Sequence, residues 1–381
     1  MTEKLPQMSP RERLQAAFQR EPCDFVPYAP HMDGYFFSSL DQEMQSKSGW
    51  DVQYELCGHI LARIPIVRST CAILLVGDAL APTDAPENVK HDTTIDGVKI
   101  VHTIETPVGS LRAEGHFAPE SPTMPWIDRF RIQTVEDVKT FQYILERTEY
   151  KPVYKLFGLS ENFVGDRGLT VVAGPPSPLA HMICQDMGME ATAYMLADYP
   201  SEMNEMLEVF HEKQKEMWRL MAESPAEIFI LTDNLSTTTT SRSQYRDYYR
   251  RHVDDYADIV HAAGKKLLNH WCGRLTGFAP DIASARHDGI TDITPLPTGD
   301  VDIVEARKTW AKNFVIVGGI DCTLYANDAV ADVEAYVEDL LGRMEPDRRG
   351  FILGSGDAVP HGARVENLRI AGEVAARFTV D

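Results

Sequence analysis

Two residues stand out for the chemistry they could do together. In Asn269-His270-Trp271-Cys272-Gly273, a His and a Cys lie two apart. They follow Gly264-Lys265-Lys266-Leu267-Leu268, which reads as a short buried strand. Side chains alternate along a strand, so His270 and Cys272 point the same way. Imidazole nitrogen and thiolate sulfur are good first-row metal ligands, and zinc is the usual choice for the pair. A catalytic zinc usually has three protein ligands and an open position. The third could come from Cys322, Asp357, Asp233 or the first loop. The competing reading is a hydrogen-bonded His beside a buried Cys.

The pair needs elements to position it, and the chain supplies a regular series. Strand patterns at Leu169–Ala173, Glu227–Leu231, Lys265–His270, Ile290–Thr294, Phe314–Gly318 and Phe351–Gly354 alternate with helical patterns. The helical patterns include Ser201–Ala222, Ser243–Ala263, Phe278–Arg286, Ala329–Met344 and Val365–Phe378. Such alternation implies parallel strands joined by crossover helices. An extended segment over 25–30 adds a seventh strand, and Cys71–Val76 is the candidate eighth. The count favours a closed barrel, and no Gly-x-Gly-x-x-Gly turn supports an open doubly wound sheet. The expected fold is a single α/β domain over 1–381, a (β/α)8 TIM barrel with an amino-terminal helical segment. Ser9, Pro10 and Glu12 form a capping-box start for the first helix. Alternation around Asp96-Gly97 predicts an inserted β-ribbon and loop over about 86–135.

In a barrel, chemistry gathers at the carboxyl ends of the strands. The residues delivered there are His31, Asp33 and Tyr35, then Asp233 and Asn234, His270 and Cys272, Asp321 and Cys322, and Ser355 and Asp357. A post-strand Asp often only caps the next helix, so Asp233 and Asp321 each carry that second reading. Gly354-Ser355-Gly356 lacks the Lys-Ser/Thr of a nucleotide loop and reads as a tight turn. No Gly-x-Ser-x-Gly elbow supports a serine hydrolase.

Composition narrows the function classes. With 57 acidic and 37 basic residues, the formal net charge is −20. That balance, without a Lys/Arg run, argues against a nucleic-acid partner. No apolar stretch reaches membrane-spanning length, and no signal-peptide pattern opens the chain. The six Cys lack a disulfide framework spacing, so a reduced, cytoplasmic protein is expected.

Several motifs in order resemble the uroporphyrinogen decarboxylase superfamily. They are Met8-Ser9-Pro10-Arg11-Glu12-Arg13-Leu14, Thr232-Asp233-Asn234, His270-Trp271-Cys272-Gly273, Gly318-Gly319-Ile320-Asp321 and Phe351-Ile352-Leu353-Gly354 with Pro360 and Glu366-Asn367. The resemblance implies a (β/α)8 barrel and two chemistries. True porphyrinogen decarboxylases carry an Arg-rich amino-terminal segment for the substrate's acidic arms. The matching Pro27–Tyr35 segment has no Arg. The other branch holds cobalamin-linked methyltransferases, which use zinc on a His-x-Cys pair plus a late Cys. His270 and Cys272 match the pair, whereas Asp357 stands where the late Cys falls. Asp357 as an oxygen ligand, Cys322 from the neighbouring loop, and no metal at all are the three readings.

The resemblance therefore implies a methyltransferase acting in demethylation. It would move a methyl group between a small methylated substrate, or tetrahydrofolate, and a corrinoid protein. Asp233 and His270 are its catalytic candidates. His31, Asp33, Tyr35, Asn234 and Asp321 are its substrate-binding candidates. His270, Cys272, Asp357 and Cys322 are its metal candidates. Barrels of this kind often pair, so a homodimer is expected. The rival readings are a decarboxylase-like lyase for a non-porphyrin carboxylated substrate, and a barrel that binds without catalysis.

Overall fold

The computed structural model describes residues 6–71, 85–310, 313–345 and 347–381. The first helix, Pro10–Gln19, starts as its residues dictate: Ser9 Oγ accepts from the Glu12 amide, and the Glu12 carboxylate accepts from the Ser9 amide. Strands β1 (Ile60–Ile64) and β2 (Val67–Ser69) come next. An antiparallel ribbon follows, made of β3 (Lys90–Asp96), β4 (Lys99–Thr106), β5 (Gly109–Ala118) and β6 (Ser121–Arg129), paired in that order. The Asp96-Gly97 turn joins its first two strands, with Gly97 at φ +61° where a side chain would be strained. Strand β7 (Tyr150–Pro152) then pairs back with β2.

The remaining strands are β8 (Gly168–Gly174), β9 (Ile228–Leu231), β10 (Lys266–His270), β11 (Gly289–Ile293), β12 (Val315–Ile320) and β13 (Phe351–Ser355). With β1 they form one seven-stranded sheet, ordered β1-β8-β9-β10-β11-β12-β13, and every pairing is parallel. An eighth member lies beside β13. Tyr28 bridges Leu353 in parallel, Ala29 donates to the Leu353 carbonyl, and Leu353 donates to the Pro27 carbonyl. The architecture is TIM-barrel-like. No backbone pairing joins this segment to β1 among the described residues, so a seam runs between them.

The strands show period-two packing with both faces buried, as expected where helices cover a parallel sheet. Leu169, Val171, Ile230, Leu268, Val317 and Ile352 share one cluster inside the barrel. Their neighbours Val172, Phe229, Leu231, Leu267, Ile316 and Leu353 join the outer core. Leu14, Ala17 and Phe18 of the first helix close the interior cluster. Arg11 reaches the carbonyl of Gly168, the first residue of β8, so this helix plugs the amino end of the barrel. The opposite end is left for the site.

The expected strand at Cys71–Val76 is corrected in part. The strand entering the sheet is β1, and Cys71 lies in a bend beside Ser69; residues 72–76 fall outside the described residues. The sequence signal was inverted because Arg63 interrupts the apolar run of β1. The barrel keeps Arg63 by pairing its charge. The helix expected over Phe278–Arg286 is also shorter, reaching only Ile282.

Candidate active site

His270 ends β10, pairs in register with Thr291 of β11, and is 7% exposed. Its Nδ1 lies 2.6 Å from Oδ2 of Asp292. Asp292 in turn accepts two bonds from Arg63, at 2.8 and 2.9 Å. This Arg63–Asp292–His270 chain fixes the orientation of the imidazole and turns Nε2 away from Asp292. Nε2 faces the mouth, 3.8 Å from Oδ1 of Asp357. His270 Nε2, Cys272 Sγ and an Asp357 oxygen form a set whose atoms all lie within 4.8 Å of one another.

Local backbone shape puts Asp292 there. The register between β11 and β12 shifts between Ile290 and Ile293, and Asp292 has φ +62°, unusual for a non-glycine residue. Gly318 opposite has φ +134°, and a Cβ on it would come within 2.6 Å of the Ile293 amide nitrogen. The irregular strand and the glycine thus fit each other.

The electrostatics follow from burial and pairing. Burial works against charging both members of the pair. For Asp292, Arg63 and His270 outweigh it and hold the carboxyl well below its usual range. For His270, Asp292 and then Cys272 outweigh it and hold the imidazole well above its usual range. Burial raises the Cys272 thiol despite His270 beside it. His31 is pushed down to about 3 by burial and by Arg63, which keeps it neutral. Burial raises Asp33 to about 6 and Asp233 to about 6.

The sequence-derived candidates divide by position. The chain brings His270, Cys272 and Asp357 together, and Asn234 Oδ1 lies 3.7 Å from the Cys272 sulfur. His31 sits beside them, with its ring centroid 5.9 Å from that of His270 and its amide held by Ser355 Oγ. Asp33 caps the short helix Gly34–Phe37. Tyr35 turns its hydroxyl to Met124 of the ribbon, 3.3 Å away. Asp233 is fully buried and accepts the Ser177 amide at 2.6 Å and the Ser177 hydroxyl at 3.1 Å. Asp321 caps Cys322–Asn327, and its oxygens accept from Thr298 and Thr323, two bonds each. Cys322 is in neither three-residue ligand group found among the described residues.

Arg63 and Asp292 were missed by sequence reasoning. The available signal was a charged residue inside an otherwise apolar strand, in Ile60–Ile64 and again in Gly289–Ile293. His31, His270 and Asp292 also lie close enough to form a ligand group. Asp292 has already committed its oxygens to Arg63 and His270, so this group is a charge network. The His270–Cys272–Asp357 set suits a metal better. A tetrahedral zinc with bonds of about 2.0–2.3 Å needs ligand atoms about 3.3–3.8 Å apart. A ligating His commonly donates its other nitrogen to a carboxylate, which is the part Asp292 plays.

Among known proteins, the family described as uroporphyrinogen decarboxylase (URO-D) matches residues 89–378. No curated protein matches the chain significantly. Among solved structures, the chain is similar to a methyltransferase from Methanosarcina mazei, at 13% identity, 97% coverage of this chain, 99% of that chain and a TM-score of 0.62. At that identity the likeness concerns the fold. A structure of the pneumococcal virulence factor StrH is matched at 11% identity over 59% of this chain and 61% of that one, with a TM-score of 0.34, and carries no argument. The family match spans most of the 381 residues and the fold follows the same plan, so the chain belongs to the uroporphyrinogen decarboxylase family.

Proposed function

We propose that this chain is a methyltransferase that moves a methyl group between a small methylated substrate, or tetrahydrofolate, and a corrinoid protein. The observation that carries the reading is the His270–Cys272–Asp357 donor set, backed by Asp292, at the carboxyl end of the strands. The full-length likeness in fold to a methyltransferase supports it. A porphyrinogen decarboxylase needs cationic groups free to hold acidic side arms. The His31–Tyr35 loop offers none, and Arg63 at the mouth is committed to Asp292.

His270, Cys272 and Asp357 would hold zinc, which would supply Lewis acidity or keep a thiol as its nucleophilic thiolate. The chain's own residues do the rest. Asp292 fixes the orientation of His270, and Arg63 fixes Asp292. Asp233, whose carboxyl burial raises to about 6, can hold or give a proton at its carboxyl oxygens. Asn234 Oδ1 accepts from the Cys272 thiol at 3.7 Å, a contact the thiol would give up on becoming a thiolate. Among the described residues, no helix is long and apolar enough to cross a membrane.

The test pairs zinc analysis with a methyl-transfer assay using methylcobalamin or cob(I)alamin. The reading expects one zinc per chain and transfer that His270→Ala abolishes. Absence of transfer with any methyl donor, together with CO2 release from a carboxylated substrate, would replace it with the lyase reading.

A further inference from the structure

The helix Lys155–Val164 buries one apolar face and shows another. Inward, Val164 packs with Ile60 and Ala62 of β1, and Ser160 Oγ lies 2.9 Å from the Thr170 hydroxyl of β8. Outward, Leu156, Leu159 and Phe163 follow at helical spacing and are 46%, 55% and 42% exposed. A helix apolar on both sides is ordinarily buried on both. The helix Gly49–Cys57 widens the patch. Its Trp50 ring lies 5.4 Å from the Phe163 ring, and its Tyr54 is exposed. Arg167 fixes the patch from one edge. Its Nη2 donates to the Phe163 carbonyl and its Nη1 to Asp51, each at 2.7 Å. The same guanidinium lies 5.1 Å from the Phe163 ring and 5.5 Å from that of Tyr54. Single exposed apolar residues need no explanation, whereas a contiguous patch of them marks a contact surface.

The charges along the stripe select what covers it. Lys155, Leu159, Asn162 and Asp166 lie four, three and four apart, the spacing of a single helical face. Lys155 opens the helix, and Asp166 stands in the short turn just beyond its end. Both are exposed, and neither side chain has a partner among the described residues. The row is complementary to its own reversal. A second copy laid antiparallel about a two-fold axis sets each Lys155 opposite Asp166 of the other copy. The same register sets Leu159 against Asn162 and Phe163 against Gly158. Gly158 is exposed, and a Cβ there would meet nothing within 4 Å of its own chain. Glycine destabilises a helix interior relative to alanine, and no contact within the chain calls for it. Across the axis it leaves room for the ring of Phe163. The formal net charge of −20 opposes self-association at long range, so pairing depends on local complementarity, which a two-fold axis supplies twice.

We propose that this face is the interface of a two-fold homodimer in which the Lys155–Val164 helices of two copies pack antiparallel. Leu159 and Phe163 form its apolar centre, and two reciprocal Lys155–Asp166 pairs close its ends. The helix packs on the outer wall of the barrel, over β1 and β8, so the dimer leaves the carboxyl-end mouth open. The proposal is independent of the methyltransferase reading.

The experiment is sedimentation velocity of the full chain over the micromolar range. The wild type should sediment as a dimer. Leu159→Glu should weaken the dimer at least about 100-fold by setting two carboxylates in its apolar centre, while melting stays cooperative because the residue is exposed within one chain. Lys155→Glu and Asp166→Lys each place two like-charge pairs across the axis, and each alone should weaken the dimer at least about tenfold. Mixed in equal amounts, these two variants should recover dimers, because opposite charges then meet at both pairs. The double variant Lys155→Glu/Asp166→Lys should recover them as well. A monomeric wild type would overturn the proposal. So would a dimer that Leu159→Glu leaves intact, which would place the interface on another face. Recovery in neither the mixture nor the double variant would overturn the antiparallel pairing and give the patch to a different occupant.

Discussion

Among the buried histidines that sit against carboxylates, His211 and His270 make a contrast: only the second belongs to a candidate site. His211 lies between the helices Pro200–Glu223 and Arg251–Ala262, with Nε2 2.9 Å from Asp255 and Nδ1 2.9 Å from the Tyr256 hydroxyl. His252 stacks on it at 4.0 Å. Both ring nitrogens are occupied, and burial lowers its pKa. His270 has the same kind of carboxylate contact on one nitrogen, yet its other nitrogen is left facing Cys272 and Asp357. A His–carboxylate bond is therefore not a site by itself. The free nitrogen, and its place at a strand's carboxyl end, make the difference.

The largest effect that separates the two clusters is on metal and activity. His270→Ala should remove zinc from the purified protein and lower methyl transfer by at least about 100-fold, since one of three protein ligands is lost. His211→Gln should leave zinc content unchanged and lower the melting temperature, because the Tyr256 and Asp255 partners lose a buried bond. Elemental analysis with thermal melting of the two variants reads both outcomes. Equal zinc loss in both would erase the contrast.

Asp292→Asn sharpens it further. It should weaken zinc about 10- to 100-fold, the usual cost of losing an outer carboxylate. It should also destabilise the fold by about 1–3 kcal/mol, because the half-buried Arg63 loses its charged partner. Competition with a chelator and denaturant melts measure the two. Zinc affinity unchanged in Asp292→Asn would remove Asp292 from the account.

Much of this was legible from residue order. The capping box at Ser9, the Asp96-Gly97 hairpin and six strand positions follow from local rules, and each appears in the structure. What local rules could not supply was long-range pairing. Arg63 and Asp292 are 229 positions apart, and each looks like a fault in an apolar strand until the other is beside it. For the same reason β1 was overlooked in favour of the more apolar Cys71–Val76. Asp321 shows the opposite limit. Its spacing after β12 gave it two readings, and four bonds to Thr298 and Thr323 now account for its oxygens without a ligand.

Smaller effects test the remaining carboxylates. Burial raises Asp233 to about 6, so the native state holds a proton that the unfolded chain releases near 3.8. Stability from this group is therefore present at low pH and lost as pH rises through 6. Relative to Asp233→Asn, the wild type should lose about 2 kcal/mol between pH 4 and pH 7, at about 1.4 kcal/mol per pKa unit. Urea melts of both proteins across that range check the sign. A difference that grows with pH would contradict it. Asp321→Ala should cost about 1–2 kcal/mol, as for a lost helix cap, and leave zinc content unchanged. Zinc lost from that variant would return Asp321 to the site.

In the proposed metal site His270, Cys272 and Asp357 are the ligands, and a carboxylate stands where a second sulfur would be expected. X-ray absorption at the zinc edge of the purified full-length chain tests it most directly. One sulfur neighbour at about 2.3 Å and nitrogen or oxygen neighbours at about 2.0–2.2 Å are expected. Two sulfur neighbours would mean that Cys322 replaces Asp357. Such a result, or a protein that takes up no zinc, would contradict the account.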